Sequence, residues 1–246
     1  MQRYFGEVIK GELTLSKDDQ FHLLKVMRAK VGEQFELVSK EGKVAIYEVV
    51  SIEPFKSKLV KLLDEVDPKK PYLKLYYCLS KGSKVDLVVQ KATELGVDEI
   101  VLLLSEYVVI RLDKKKEEKR LDRYKLIAKE AAEQSKRVSI PLIRGVYELN
   151  LATLKKDESD VKIIAYEGET PSTKPLFDVL LNEKKADSIA ALIGPEGGFS
   201  SKEVEIAKEA GFLSISLGKR ILRTETAAIH LVGLISALKE CQYENL

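Results

Sequence analysis

The period of the apolar residues divides this chain into two regions. Before residue 64 the apolar runs are short and partly alternating: Tyr4 to Ile9, Phe35 to Ser39, Lys43 to Ile52 and Lys58 to Leu63. Runs of this length and period predict half-buried β-strands. Lys40-Glu41-Gly42-Lys43 predicts a turn between two of them. One helical interval interrupts, with Ser16 as N-cap, Phe21, Leu24 and Met27 at helical spacing, and Gly32 after its end.

Beyond residue 72 the pattern changes to strand-like runs at Leu73–Leu79, Glu99–Leu104, Val161–Ala165, Ser188–Ile193 and Leu213–Leu217, separated by helical stretches. In the helix opening at Ser83, Val85, Val88, Val89, Ala92 and Leu95 share one face and Gly96 closes it. Ser200 and Glu203 have the spacing of a capping box, opening a helix that ends at Gly211. Such alternation predicts an α/β unit with a mostly parallel sheet. The stretch Asp67-Pro68-Lys69-Lys70-Pro71 is the predicted linker.

Composition narrows the classes. The chain has 246 residues, 45% of them hydrophobic, and only seven prolines, which excludes bulk disorder and leaves ample material for a core. A net charge of +2 is compatible with a nucleic-acid partner without demanding one. Residues 1–70 are close to charge balance, so an RNA surface there must come from the arrangement of charges. The start, Met1 to Glu7, lacks the apolar core of a signal peptide, and the run Ile100 to Leu104 is too short to span a bilayer. A cytoplasmic protein with no membrane association is expected. Cys78 and Cys241 match no ligand spacing, so two buried thiols and no metal site are expected.

The chemistry concentrates in two segments that each follow a strand and precede a helix. The first is Gly194-Pro195-Glu196-Gly197-Gly198-Phe199; the second runs from Leu217-Gly218 through Arg220-Ile221-Leu222-Arg223-Thr224-Glu225-Thr226 to Ala227. In an open α/β sheet, ligands sit beyond the carboxyl ends of the strands. Glycine-bearing loops there bring backbone donors and acceptors close to a small molecule. The first loop is neither G-x-G-x-x-G nor a P-loop, which disfavours a dinucleotide or triphosphate site. Glu196 alternatively complements the helix that follows. Ile221 and Leu222 suggest the walls of a pocket for a flat ring. Arg223, a planar fork of donors, suits a phosphate or a pyrimidine carbonyl edge. Thr224 and Thr226 are candidate N-caps. Gln134 and Arg137, ending a long charged helix, are candidates to reach the site, and His22 on the first helix is a candidate RNA contact.

These residues resemble the ribosomal RNA small-subunit methyltransferase E family. The resemblance is carried by Ile193-Gly194-Pro195-Glu196-Gly197-Gly198-Phe199-Ser200, by Leu217-Gly218 with the string from Arg220 to Ala228, by Gln90 to Val97, and by Glu130 to Ser135 with Arg137. His22-Leu23-Leu24 with Val26, Arg28 and Gly32 is similar to the family's N-terminal unit. Lys219 stands where the family usually has proline, and Lys136 where glycine is common.

The resemblance implies a small PUA-like RNA-binding β-barrel over residues 1–68 and a SPOUT-type α/β methyltransferase domain over residues 72–246, with a trefoil knot. It also implies a homodimer, S-adenosylmethionine as cofactor, and methylation of N3 of a uridine in 16S rRNA of the small ribosomal subunit. The residues it points to for the cofactor are Ile193, Gly194, Pro195, Glu196, Gly197, Gly198, Leu217, Gly218, Ile221, Leu222, Thr226 and Ala227. For RNA they are Arg3, His22, Arg28, Lys30, Gln134, Arg137 and Arg220. N3 of a neutral uracil carries a proton and is a poor nucleophile. Arg223 is therefore expected to stabilise negative charge on the uracil carbonyls, and Glu225 is the candidate base. Three other readings compete: ribose 2′-O-methylation by a related enzyme, a non-catalytic ribosome-assembly factor, and a nucleotide-dependent enzyme.

Overall fold

The computed structural model describes residues 1–9, 12–68, 70–107, 114–166, 168, 173–183 and 186–244. Lys69 of the predicted linker lies outside them. The chain divides into two compact units, residues 1–68 with 129–140, and residues 69–128 with 141–246.

In the first unit, β1 (Arg3–Phe5), β2 (Glu7–Ile9) and β3 (Glu12–Thr14) precede α1 (Lys17–Phe21), and β4 (Gln34–Val38), β5 (Val44–Ser51) and β6 (Lys56–Leu63) follow it. A four-stranded sheet of order β1-β4-β5-β6 stands with a separate β2–β3 hairpin. Strand β1 is parallel to β4, and the other neighbours are antiparallel. The predicted strand Tyr4 to Ile9 is therefore two strands in different sheets, broken at Gly6. A Cβ there would stand 2.7 Å from Leu37 and 3.0 Å from the Thr14 carbonyl, so only glycine fits the crossing. The predicted turn is present: Gly42 takes φ +76° and donates to the Ser39 carbonyl.

The first helix departs from expectation. Ser16 caps α1 through Asp19 N–H as predicted, but the next turn, His22–Val26, is π-helical. Met27 N–H reaches the His22 carbonyl five residues back, and this widening rotates the following side chains out of phase. Leu23 is consequently buried, whereas Phe21 (62% exposed) and Met27 (51%) face outward. Arg28, in the left-handed region at φ +57°, ends the element four residues before Gly32.

Residues 129–140 count with this unit because they bond to it. Glu133 accepts from Phe5 N–H at 3.2 Å, and Asp67 accepts from Val138 N–H at 3.1 Å and Ser139 Oγ at 2.6 Å.

The second unit contains β7 (Tyr72–Cys78), α2 (Lys84–Glu94), β8 (Glu99–Leu104), α3 (Lys114–Gln134, whose last turns belong to the first unit) and β9 (Leu142–Glu148). Then come α4 (Leu151–Leu154), β10 (Val161–Ala165), β11 (Lys174–Pro175), α5 (Leu176–Asn182), β12 (Ser188–Ile193), α6 (Ser201–Glu209), β13 (Leu213–Ser216) and α7 (Thr224–Glu244). The seven-stranded sheet has the order β11-β13-β10-β12-β7-β8-β9. Every pair of neighbours is parallel. All carboxyl ends therefore lie along one edge.

Both faces of this sheet are covered, which is why its central strands read as unbroken apolar runs. On one face Leu73, Leu75, Ile189, Ala191 and Ile193 pack with residues of α2, α3, α5 and α7. On the other, Tyr76, Cys78, Ala190 and Leu192 pack with residues of α4 and α6. Each fully buried Leu or Ile contributes roughly 1.5–3 kcal/mol. On the predicted face of α2, Val85, Val88, Val89 and Ala92 are buried and Leu95 is half-buried, with Gly96 at φ +92°. Cys78 is buried, and burial pushes its thiol well up; Cys241 is exposed, against expectation.

Candidate functional site

Strands β10, β12 and β13 are neighbours in the sheet, so the loops that leave them meet. Together with Lys84 they line an open cleft of 1230 Å³. From the β12 loop it takes Ile193 to Phe199; from the β13 loop, Leu217 to Thr224, and Ala227 of α7. Thr226, expected at the cofactor, is exposed and does not line it.

In the β12 loop Gly198 takes φ +73° and donates to the Pro195 carbonyl at 3.0 Å, forming a tight turn. A Cβ on Gly194 would stand 3.0 Å from the Phe199 ring, so any larger residue there would force the ring to give by a few tenths of an ångström. Ser200 then caps α6 with both bonds of the predicted box: its Oγ accepts from Glu203 N–H, and Glu203 accepts from Ser200 N–H at 2.8 Å. Glu196 does not serve that helix. It accepts from Lys81 N–H at 3.2 Å and from Lys84 Nζ at 3.0 Å. Partial burial would raise the Glu196 pKa, but its own backbone N–H and the two lysine donors outweigh this and hold it below the ordinary value.

In the β13 loop Gly218 takes φ +113°, with open space where a Cβ would stand. The first helical bond of α7 runs from Ala227 N–H to the Arg223 carbonyl, which makes Arg223 the N-cap residue rather than either threonine. Thr224 is buried and has another use. Its hydroxyl donates to the Gly194 carbonyl at 2.5 Å and lies 3.4 Å from Tyr77 Oη. One hydrogen bond thus ties the two loops together.

Leu222 is half-buried in the cleft, while Ile221 is 83% exposed at its rim. Arg220 and Arg223 are exposed, and neither has a carboxylate partner among the described residues. Glu225, in the first turn of α7, has Oε2 buried with no hydrogen-bond donor among the described residues; Lys84 Nζ lies 3.7 Å away.

The cleft has apolar walls from Ile193, Phe199, Ile215, Leu217 and Leu222, and polar residues that include Lys84, Thr173, Glu196, Ser216 and Thr224 beside the glycines of both loops. Apolar walls with a few convergent polar groups fit a heteroaromatic ring. Among the described residues no cluster of His, Cys, Asp or Glu could hold a metal ion, and no helix is long and apolar enough to cross a membrane.

The remaining expected RNA contacts all lie in the first unit, and the structure divides them. Arg28 and Lys30 are exposed, as is Gln134. Arg3 is instead 1% exposed: its Nε donates to Glu36 at 2.8 Å, and its terminal nitrogens to Glu65 and to the Lys136 carbonyl. A guanidinium so enclosed is not accessible to a phosphate. Arg137 is also buried, with Nη2 on Ser139 Oγ at 3.2 Å. His22 Nδ1 is hydrogen-bonded to Tyr4 Oη at 2.8 Å, a structural use of one ring nitrogen.

Sequence reasoning missed Lys84, Tyr166, Gly168, Thr173, Phe199 and Ser216 as lining residues. The signal for Lys84 was Ser80-Lys81-Gly82-Ser83-Lys84, a third glycine loop after a strand, with Gly82 at φ +71°.

A family model described as an RNA methyltransferase domain matches residues 68–236, and one described as an RNA methyltransferase PUA domain matches residues 15–63. The ribosomal RNA small subunit methyltransferase E of Bacillus subtilis is 32% identical over 96% of each chain. That of Aquifex aeolicus is 31% identical over 96% of this chain and 99% of its own. The crystal structure of the Neisseria gonorrhoeae enzyme of the same name, bound to S-adenosyl methionine, superposes with TM-score 0.85 at 28% identity, covering 97% and 98% of the two chains.

A wholly parallel sheet with paired glycine loops at its carboxyl edge, joined to a PUA unit, defines an RNA methyltransferase with a SPOUT-like α/β domain. Identity above 30% along nearly the whole length narrows the class. The chain belongs to the ribosomal RNA small subunit methyltransferase E family.

Proposed function

We propose that this protein transfers a methyl group from S-adenosylmethionine to N3 of a specific uridine in the 16S rRNA of the small ribosomal subunit. The coarser activity, cofactor-dependent methylation of small-subunit rRNA, follows from the family and from the cofactor bound in the Neisseria relative. The finer reading is supported by one observation: an exposed arginine without a carboxylate partner, Arg223, stands at the mouth of a cleft built from two tied glycine loops.

When bound, S-adenosylmethionine supplies an electrophilic methyl group on a sulfonium. Backbone groups of Ile193, Gly194, Leu217, Gly218 and Leu222 would hold its adenine and ribose, with Ala227 and Pro195 closing the walls. Arg223 donates to a uracil carbonyl and stabilises the anion spread over O2, N3 and O4. Glu225 is the proposed acceptor of the N3 proton. Alignment of N3 with the methyl at near-attack distance supplies a further part of the acceleration. Arg220, Arg28, Lys30 and Gln134 serve the RNA backbone, which fixes position and carries no sequence information itself.

The proposed organisation assigns RNA capture to residues 1–68 and transfer to residues 72–246, in a cytoplasmic homodimer whose transfer domain carries a trefoil knot. The test is methyl transfer to small subunits lacking the modification, with the digested nucleosides identified by mass spectrometry. 3-Methyluridine is expected. A 2′-O-methylated nucleoside would move the protein to the ribose-methylating relatives.

A further inference from the structure

Of the cationic residues that line the cleft, Lys84 comes from neither of the two loops above and is the one ion-paired to carboxylates among the described residues. Lys84, the first residue of α2, places Nζ 3.0 Å from Glu196 Oε1 and 3.7 Å from Glu225 Oε2. Those carboxylates belong to different segments, Glu196 to the loop after β12 and Glu225 to the first turn of α7. The connection from β7 to α2 grips Glu196 a second time through Lys81 N–H. Glu225 Oε2 is buried and has Lys84 as its one ionic partner among the described residues. Without Lys84, two carboxylates within reach of a single ammonium would lose their shared counter-ion, and both lie well inside the screening length of about 8 Å at physiological salt.

We infer that Lys84 is a positioning residue that holds Glu196 and Glu225 together and sets the charge balance of the cleft. The inference rests on S-adenosylmethionine being the ligand. That cofactor carries a sulfonium, an ammonium and a carboxylate, hence one net positive charge; its demethylated product is net neutral. As the methyl leaves, the sulfur loses its charge. A positive charge beside the cofactor disfavours the cationic ground state more than a transition state in which the sulfur is losing its charge, which raises turnover. Lys84 supplies such a charge, and its ion pair with Glu225 keeps the proposed proton acceptor in place.

The experiment is calorimetric binding of S-adenosylmethionine and of S-adenosylhomocysteine to the wild type, Lys84→Met, Lys84→Arg and Lys84→Met with Glu196→Gln, beside thermal melts of the same proteins without ligand. Lys84→Met is expected to shift the affinity ratio toward the cationic cofactor by roughly three- to tenfold. Lys84→Arg should keep the wild-type ratio, and the double variant should return towards it. A ratio unchanged in Lys84→Met, or shifted equally in Lys84→Arg, would overturn the charge-setting role. If the wild type binds neither ligand, the functional reading fails, and Lys84 is then judged on the melts. There, non-additive effects of Lys84→Met and Glu196→Gln support its positioning role, and strictly additive effects refute it.

Discussion

Thr224 shows how far a single residue can depart from its expected use. As a helix cap it would stabilise α7 alone. As a donor to the Gly194 carbonyl it joins the two loops that form the cleft. Thr224→Val keeps the shape and strands that carbonyl, which should lower unfolding free energy by about 1–3 kcal/mol. It should also weaken cofactor binding; denaturant unfolding and calorimetry read the two effects separately. The glycines and arginines of both loops were legible because their types are unusual for plain connections. Thr224 and Lys84 were not, because their roles depend on which loops the sheet order brings together. Lys136 adopts φ +61°, a left-handed conformation that is costly for a non-glycine residue, and its Nζ donates to Glu36 at 2.8 Å.

At the scale of elements, long apolar strands and capped helices were read closely, and weakly patterned ones were missed. Strand β9 is mostly exposed along its length and carries no clean alternation, and β11 has two residues. The π-helical turn escaped because a 3.6-residue template assigns Phe21, Leu24 and Met27 to one inward face.

Capping of α6 was legible, but the second use of Glu203 was not: it also accepts from Glu106 N–H at 2.9 Å, beside the Tyr107 that packs on Gly197. Ser200→Ala should therefore cost about 1 kcal/mol. Glu203→Ala should cost about 1–3 kcal/mol, since it strands two backbone donors. Urea titrations of the two variants test that order.

The connection from α4 to β10 also carries a buried carboxylate. Asp157 binds Lys74 Nζ and Tyr76 Oη, each at 2.8 Å. Burial would raise its pKa, but Lys74, Ser159 and Tyr76 outweigh this and hold it below the ordinary value. Its contribution is thus complete above the ordinary Asp value of about 3.9 and is lost as pH falls through the lower folded value. Asp157→Asn should lose less stability on acidification than the wild type does, measured by thermal melts between neutral and acid pH.

For the whole molecule, two units and their classes could be read from the change in period near residue 70. The return of residues 129–140 to the first unit could not, since it depends on the Glu133 and Asp67 bonds rather than on any pattern. Composition was equally silent about the RNA surface, and the structure removes Arg3 from it while leaving Arg28 exposed. Arg28→Ala should make the salt dependence of RNA binding shallower, by about 0.7 in the slope of log affinity against log salt for a single-stranded contact. The same change at buried Arg3 should lower stability instead, because it leaves Glu36 and Glu65 without their shared partner.

The central claim is that the tied glycine loops and Arg223 form a transfer site acting on a uracil anion. Single-turnover methyl transfer by Arg223→Ala, with cofactor and RNA both saturating, tests it most directly. The account predicts a rate lower by roughly 10²–10³-fold, with cofactor affinity close to wild type. An unchanged rate would contradict it, because the guanidinium would then stabilise none of the charge that develops on the uracil.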